Sequence, residues 1–173
     1  MKYKIGILLS ALLLNSCFSV EYSSSKKSSS HVYTSTDSTY ICEQDTLSWI
    51  ALNDPDSEVR KLAVSKLANQ STLSSVALND NDRDVRMMAI QKVANQSTLS
   101  SVALNDPDSQ VRKMALSKVA NQSTLSSVAL NDNDRDVRMM AVQKLASQST
   151  LLMVAKNDPD REIRKMALQK LDN

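Results

Sequence analysis

The chain has 173 residues, a formal net charge of +2 and 3% aromatic residues. Near-neutral charge and scarce rings give no sign of the basic, aromatic-interleaved surface typical of nucleic-acid binding. The 42% hydrophobic content is mostly Ala, Leu, Val and Met, enough for a thin, distributed core; with Gly6 the only glycine, turns must use Asn, Asp, Ser and Pro.

The first segment, MKYKIGILLSALLLNSC, sets two lysines before an apolar run from Ile5 to Leu14, then small or polar residues before Cys17. That is the shape of a secretory signal over residues 1–16, and the run is too short for an ordinary spanning helix. Leu14-Asn15-Ser16-Cys17 resembles the bacterial lipobox. The resemblance implies that Cys17 receives a diacylglyceryl thioether and becomes the mature N-terminus. Ordinary signal cleavage, for example after Ser19, is the alternative. An exported chain with two cysteines suggests a disulfide by default. With Cys17 lipidated, however, Cys42 has no partner within the chain and reads as a free thiol or a small, partly buried residue.

Residues 17–44 read as a tether. Their centre, EYSSSKKSSSHVYTSTDSTY, is Ser/Thr-rich and lacks helical or strand period. Such a segment buries too little apolar area to offset its ordering entropy, so disorder is expected.

From Asp45 to Asn173 the chain divides into five units of 26 residues, starting at Asp45, Ser71, Ser97, Ser123 and Ser149. The segment ANQSTLSSVALND occurs three times without change. A fixed period of this length marks a stacked-repeat architecture. In the second unit Ser71 is expected to cap a helix carrying Leu73, Val76 and Ala77 at one-face spacing. NDND is the turn. Asp82 then caps a second helix with Val85, Met88, Ala89 and Val93 on one face, and Asn95 is expected as its C-terminal cap. One hairpin cannot hide its apolar face, whereas stacked hairpins bury a continuous core.

DPDSEVRKLAVSKLA, from Asp54 to Ala68, resembles the second helix of short HEAT-type repeats, including those related to phycobilisome lyases. The pattern recurs as Val59-Arg60-Ala63-Leu67, Val85-Arg86-Ala89-Val93, Val111-Arg112-Ala115-Val119, Val137-Arg138-Ala141-Leu145 and Ile163-Arg164-Ala167-Leu171. The fold expected is an all-α solenoid of about five HEAT-like hairpins. Function does not follow from it, because such arrays serve many roles.

Stacking turns each repeat position into a column. Arg60, Arg86, Arg112, Arg138 and Arg164 form one, and Asp54, Asp80, Asp106, Asp132 and Asp158 another. The resemblance implies a structural Arg–Asp ladder tying neighbouring turns, in preference to an anion or metal ladder. Asp56, Asp82, Asp108, Asp134 and Asp160 read as helix caps; a calcium loop would add a distal Glu and a Gly turn, and both are missing. Lys66, Lys92, Lys118, Lys144 and Lys170 read as a solvated row.

The column Lys61, Met87, Lys113, Met139, Lys165 alternates, as does Ser65, Gln91, Ser117, Gln143, Gln169 until its last member, so the true unit is a duplicated two-hairpin block. Helical geometry points both columns away from the core, and in HEAT-type stacks the second helices line the concave face. Exposed Met suits an adaptable partner surface. The competing reading is that Met87 and Met139 cover neighbouring side chains. At the ends, Trp49 and Met153 stand where the middle units have Ser75, Ser101 and Ser127, and Leu152 also replaces Ser. Larger apolar residues there invite tail packing or a partner.

Near-identical repeats do not assemble the unlike residues a catalytic site needs. Deoxyhypusine hydroxylases, which are HEAT-type enzymes, bind iron through His-Glu pairs, and this chain has no His after His31. The expectation is therefore a non-enzymatic scaffold without cofactor or metal. It is anchored to the membrane through Cys17 and binds a protein or peptide along its concave face. Its place is the cell envelope, with the bacterial outer membrane favoured because Phe18, not Asp, follows Cys17. A structural spacer and a bilin-lyase-like enzyme are the alternatives.

Overall fold

The computed structural model describes residues 17–19 and 40–171. The apolar leader, His31 and most of the Ser/Thr tract lie outside the described residues. The chain divides into a unit ending at Thr46 and a unit from Leu47 onward. In the first, strands β1 (Cys17–Ser19) and β2 (Tyr40–Cys42) pair antiparallel, with Cys17 opposite Cys42 and Phe18 opposite Ile41. The two ends of the expected tether are thus strand. Aromatic and β-branched residues there suit a pleated backbone.

The rest of the described chain is all helical. Hairpins form from α1 (Glu43–Asn53) and α2 (Ser57–Lys66), α3 (Gln70–Asn79) and α4 (Arg83–Lys92), α5 (Gln96–Asn105) and α6 (Ser109–Lys118). Two more follow: α7 (Gln122–Asn131) with α8 (Arg135–Lys144), and α9 (Gln148–Asn157) with α10 (Arg161–Leu171). From Leu47 on, each hairpin packs on its sequence neighbours, which makes this unit an α-solenoid.

The caps explain where the helices start, and two differ from expectation. In the second to fifth hairpins the first helix begins at Gln, one residue before the expected Ser. Asn69, not Ser71, is the N-cap of α3, and its Oδ1 accepts from the N–H groups of Ser71 and Thr72. Asn95 is likewise the N-cap of α5 and not the C-cap of α4. The α4 cap is Val93, in extended backbone at φ −66 and ψ 130. A helix that leaves into extended backbone needs no left-handed residue, so the lack of Gly costs these ends nothing. The second helices start as expected: Asp82, Asp108 and Asp134 each accept two backbone N–H groups of the first turn.

The core is a row of equivalent layers. Leu73, Val76 and Ala77 of α3 face Val85, Ala89, Ile90 and Val93 of α4, all buried. Ile90 takes the place expected for Met88, which is only half-buried, because the inward arc of α4 also holds Arg86. Burying one Leu or Ile fully stabilises by about 1.5–3 kcal/mol. From α2 to α10 second helix packs on second helix, and from α3 to α9 first helix packs on first helix. The second helices form one layer of the stack and the first helices the other, and the second-helix layer is the inner face expected from the HEAT-type resemblance.

Candidate functional site

The Arg and Asp columns meet. Arg60, Arg86, Arg112 and Arg138 each direct Nε and Nη2 at both carboxylate oxygens of the Asp one repeat on: Asp80, Asp106, Asp132 and Asp158. For Arg86 the two bonds are 2.7 and 2.9 Å. Its Nη1 also donates to Asp80 O and Asn81 O in its own turn. The same Asp oxygens accept backbone N–H groups; Asp106 Oδ1 accepts from Asp108 at 2.9 Å. A bidentate fork with every acceptor engaged is a structural clamp, and leaves no open carboxylate for a cation. Among the described residues no group of three His, Cys, Asp or Glu side chains is placed to hold a metal.

The cap column carries a second set of cross-repeat contacts. Asp82 and Asp134 sit below the ordinary carboxylate range, chiefly because the N–H groups of Val85 and Val137 favour the anion, with Ser57 and Ser109 of the preceding repeat helping. For Asp108 burial opposes ionisation, yet the N–H groups of Val111 and Gln110 and the charge of Arg83 outweigh it. Asp160 is held low first by Arg135, whose Nε lies 2.6 Å from its Oδ2. The preceding repeat thus offers Ser to the caps of α4 and α8 and Arg to those of α6 and α10.

Lys66 is exposed as expected, but the other four lysines of the row are half-buried and bonded, contrary to the sequence reading. Lys118 Nζ donates to Ile90 O at 2.9 Å, Gln91 O at 2.8 Å and Val93 O at 2.8 Å, all at the end of α4. Lys92 reaches Val64 O, Lys144 reaches Leu116 O and Ser117 O, and Lys170 reaches Gln143 O. Each lysine places its ammonium on the last carbonyls of the preceding second helix, the negative end of that helix dipole. Burial pulls the Lys144 ammonium below its ordinary value, against these carbonyls. Sequence reasoning missed this row because a lysine near a helix end reads equally well as serving its own helix.

The inner face remains. Ser65, Gln91, Ser117, Gln143 and Gln169 are exposed along it. Ser65 and Ser117 hydroxyls donate to Leu62 O and Met114 O of their own helices. Lys61 pairs with Glu58 at 2.7 Å and Lys113 with Asp136 at 3.8 Å, while Lys165 is exposed. Met87 and Met139 are half-buried and packed against the core, not fully solvent-facing, and Met88, Met114, Met140 and Met166 share that position.

At the turn edge a shallow groove between the second and third repeats is lined by Asp80, Arg86, Val102, Asp106 and Pro107. Its charged groups are those of the clamp. In the first unit the backbone register sets Cys17 opposite Cys42, so a thioether at Cys17 and a Cys17–Cys42 disulfide exclude each other. No helix of the described residues is long and apolar enough to cross a membrane. Comparison with protein-family models, curated proteins and solved structures finds no significant match to this chain.

Proposed function

We propose that this chain is a HEAT-type repeat protein, anchored in the bacterial cell envelope by lipid on Cys17, that binds an extended protein or peptide segment along its inner face. It is a binding module without catalysis or cofactor. The observation that carries this reading is elimination by column. The Arg, Asp and Lys columns are consumed within the solenoid, whereas the Gln91 and Gln143 carboxamides stay exposed on its inner side.

A carboxamide offers one acceptor and two N–H donors, the complement of a peptide group. Half-buried thioethers flank each amide, Met87 and Met88 beside Gln91, Met139 and Met140 beside Gln143, and adapt to varied side chains. The two patches lie two repeats apart. At roughly 10 Å per packed helix that is about 20 Å, which about six residues of extended chain span. One ligand reaching both patches gains affinity by avidity.

A photo-crosslinking residue at Gln91 or Gln143 tests this in cells, with Ser75 or Ser127 on the outer helices as controls. Adducts from inner positions alone are expected; equal adducts from both faces, or none, defeat the reading. The strand register favours a second reading for the anchor, in which Cys17 and Cys42 form a disulfide that closes residues 17–42 into a loop. Intact-mass measurement separates the two, since lipidation leaves Cys42 open to alkylation and a disulfide does not.

A further inference from the structure

The two ends of the stack carry complementary halves of an interior junction. Val59 is 40% exposed, whereas Val85, Val111, Val137 and Ile163 in its column are fully buried. Leu62 is 60% exposed where the methionines of its column are half-buried. At the other end Leu168 is 53% exposed, whereas Val64, Ile90, Leu116 and Val142 are fully buried. These side chains are of core type, and no described hairpin covers them.

The polar ladder is open in the same sense. Arg164 donates from Nη1 to Asp158 O and Pro159 O, but among the described residues its Nε and Nη2 meet no carboxylate. Asp54 accepts from the N–H of Asp56, but no arginine precedes it. Lys66 likewise caps no second-helix end among the described residues, and is exposed.

An independent feature is Arg161. The column Ser57, Arg83, Ser109, Arg135, Arg161 alternates until its last member. Arg occurs where the following cap is that of α6 or α10, as in Arg83–Asp108 and Arg135–Asp160. Strict alternation would put Ser at 161. With Arg there, α10 presents the group that belongs before an odd-numbered hairpin, and the α1–α2 hairpin, whose cap is Asp56, is odd-numbered.

We propose that copies of this chain associate head to tail, the α9–α10 face of one docking on the α1–α2 face of the next. Arg164 clamps Asp54 of the second copy, Arg161 reaches its Asp56, and Leu168 packs on its Val59. Lys66 of the second copy caps the end of α10. The contact is heterologous, so it propagates as an open filament instead of closing at a dimer. Exposed Leu152, whose column is half-buried in the middle hairpins, enlarges the apolar area at the α9–α10 end.

Sedimentation velocity of the full chain over a concentration series tests this, alongside Arg164→Asp, Asp54→Arg and Leu168→Asp, each checked for helical content. Wild type should grow in mass with concentration without stopping at a dimer. Each variant should associate about tenfold more weakly or worse, because a like-charge or buried-charge contact replaces the native one. Mixing Arg164→Asp with Asp54→Arg should restore growth, since each end then meets its opposite. Leu168→Asp alters an exposed side chain and serves if the Asp54 variant fails to fold. A wild type monomeric throughout, with the chain's own residues 1–42 or nothing covering the ends, overturns the proposal. So does mass that saturates at the dimer, association that survives Arg164→Asp and Leu168→Asp, or folded reversals that mixing does not rescue.

Discussion

Truncating Arg86 to Ala is the sharpest test of the clamp. The Arg86 and Asp106 side chains are 8% and 4% exposed, so this pair is shielded from water. Losing the guanidinium strands the Asp106 carboxylate with one remaining backbone donor, Asp108 N–H, and leaves Asp80 O and Asn81 O short of a partner. Leaving one member of a buried ion pair unmatched costs about 3–5 kcal/mol. For a helical unit of this size that corresponds to a midpoint lowered by roughly 10–20 °C. Removing both partners is a different perturbation, since no charge is left behind. The double variant Arg86→Ala/Asp106→Ala should therefore be less destabilised than the two single losses added together.

Urea melts followed by circular dichroism measure all three variants. A coupling of about 1.5 kcal/mol or more is expected from the cycle, in the direction of mutual support. Two strictly additive losses would refute the argument, because the interaction would then be worth nothing beyond its separate backbone contacts. Arg164→Ala is a useful comparison, since it forfeits only hydrogen bonds to Asp158 O and Pro159 O and should cost about 1–3 kcal/mol.

Lys118→Met removes three donations to the end of α4 and should cost about 1.5–3 kcal/mol, while Lys66→Met, with no second-helix end to cap among the described residues, should leave the melt of dilute protein nearly unchanged. Acid should weaken the fold in a defined window. The Asp82, Asp108, Asp134 and Asp160 carboxyls are depressed on folding, so their contribution is whole above the ordinary carboxylate range and is lost as pH falls through the folded values. Asp82→Asn keeps a cap and should flatten that slope in melts taken as a function of pH. Deleting the block from Ala77 to Val128 joins equivalent helix positions and should give a shorter, cooperative all-helical protein with a lower midpoint, whereas deleting half a hairpin should abolish the transition.

The fold was legible because five copies report the same periodicity, so that errors of phase at one copy are corrected by the others. Val85, Ala89 and Val93 recur at helical spacing, and Asp82 stands before them as a cap. The helix starts were less legible. Asn69 and Ser71 are both good cap residues, and only the backbone shows that Asn69 holds the extended conformation. Cross-repeat contacts were the hardest. That Lys118 serves α4 and not its own helix depends on the rise and offset between hairpins, which a one-dimensional pattern does not contain. The standing of Met87 was equally hidden: its column points off the core axis, yet the side chain is half-buried against the core.

The near-identity of the repeats has a physical cause in these offsets. Arg86 satisfies the carbonyls of its own turn and the carboxylate of the next, so moving either turn breaks bonds in both. A changed residue in that column would spoil two repeats at once, and the same holds for the lysines that cap the preceding helix. Side chains that make no bond to another repeat carry no such coupling, since any cross-repeat bond at these positions goes to the backbone carbonyl, which every residue has. Ser65, Gln91, Ser117 and Gln143 are of this kind, and there the sequence varies from one repeat to the next. Variation also touches the turn and the core, as in Pro55/Asn81 and Val64/Ile90/Leu116, but the Arg and Lys columns that bond across repeats do not change. A solenoid built this way separates its tasks by column: the turn edge fixes the rise between hairpins, and the inner face is free to take the shape of whatever lies along it.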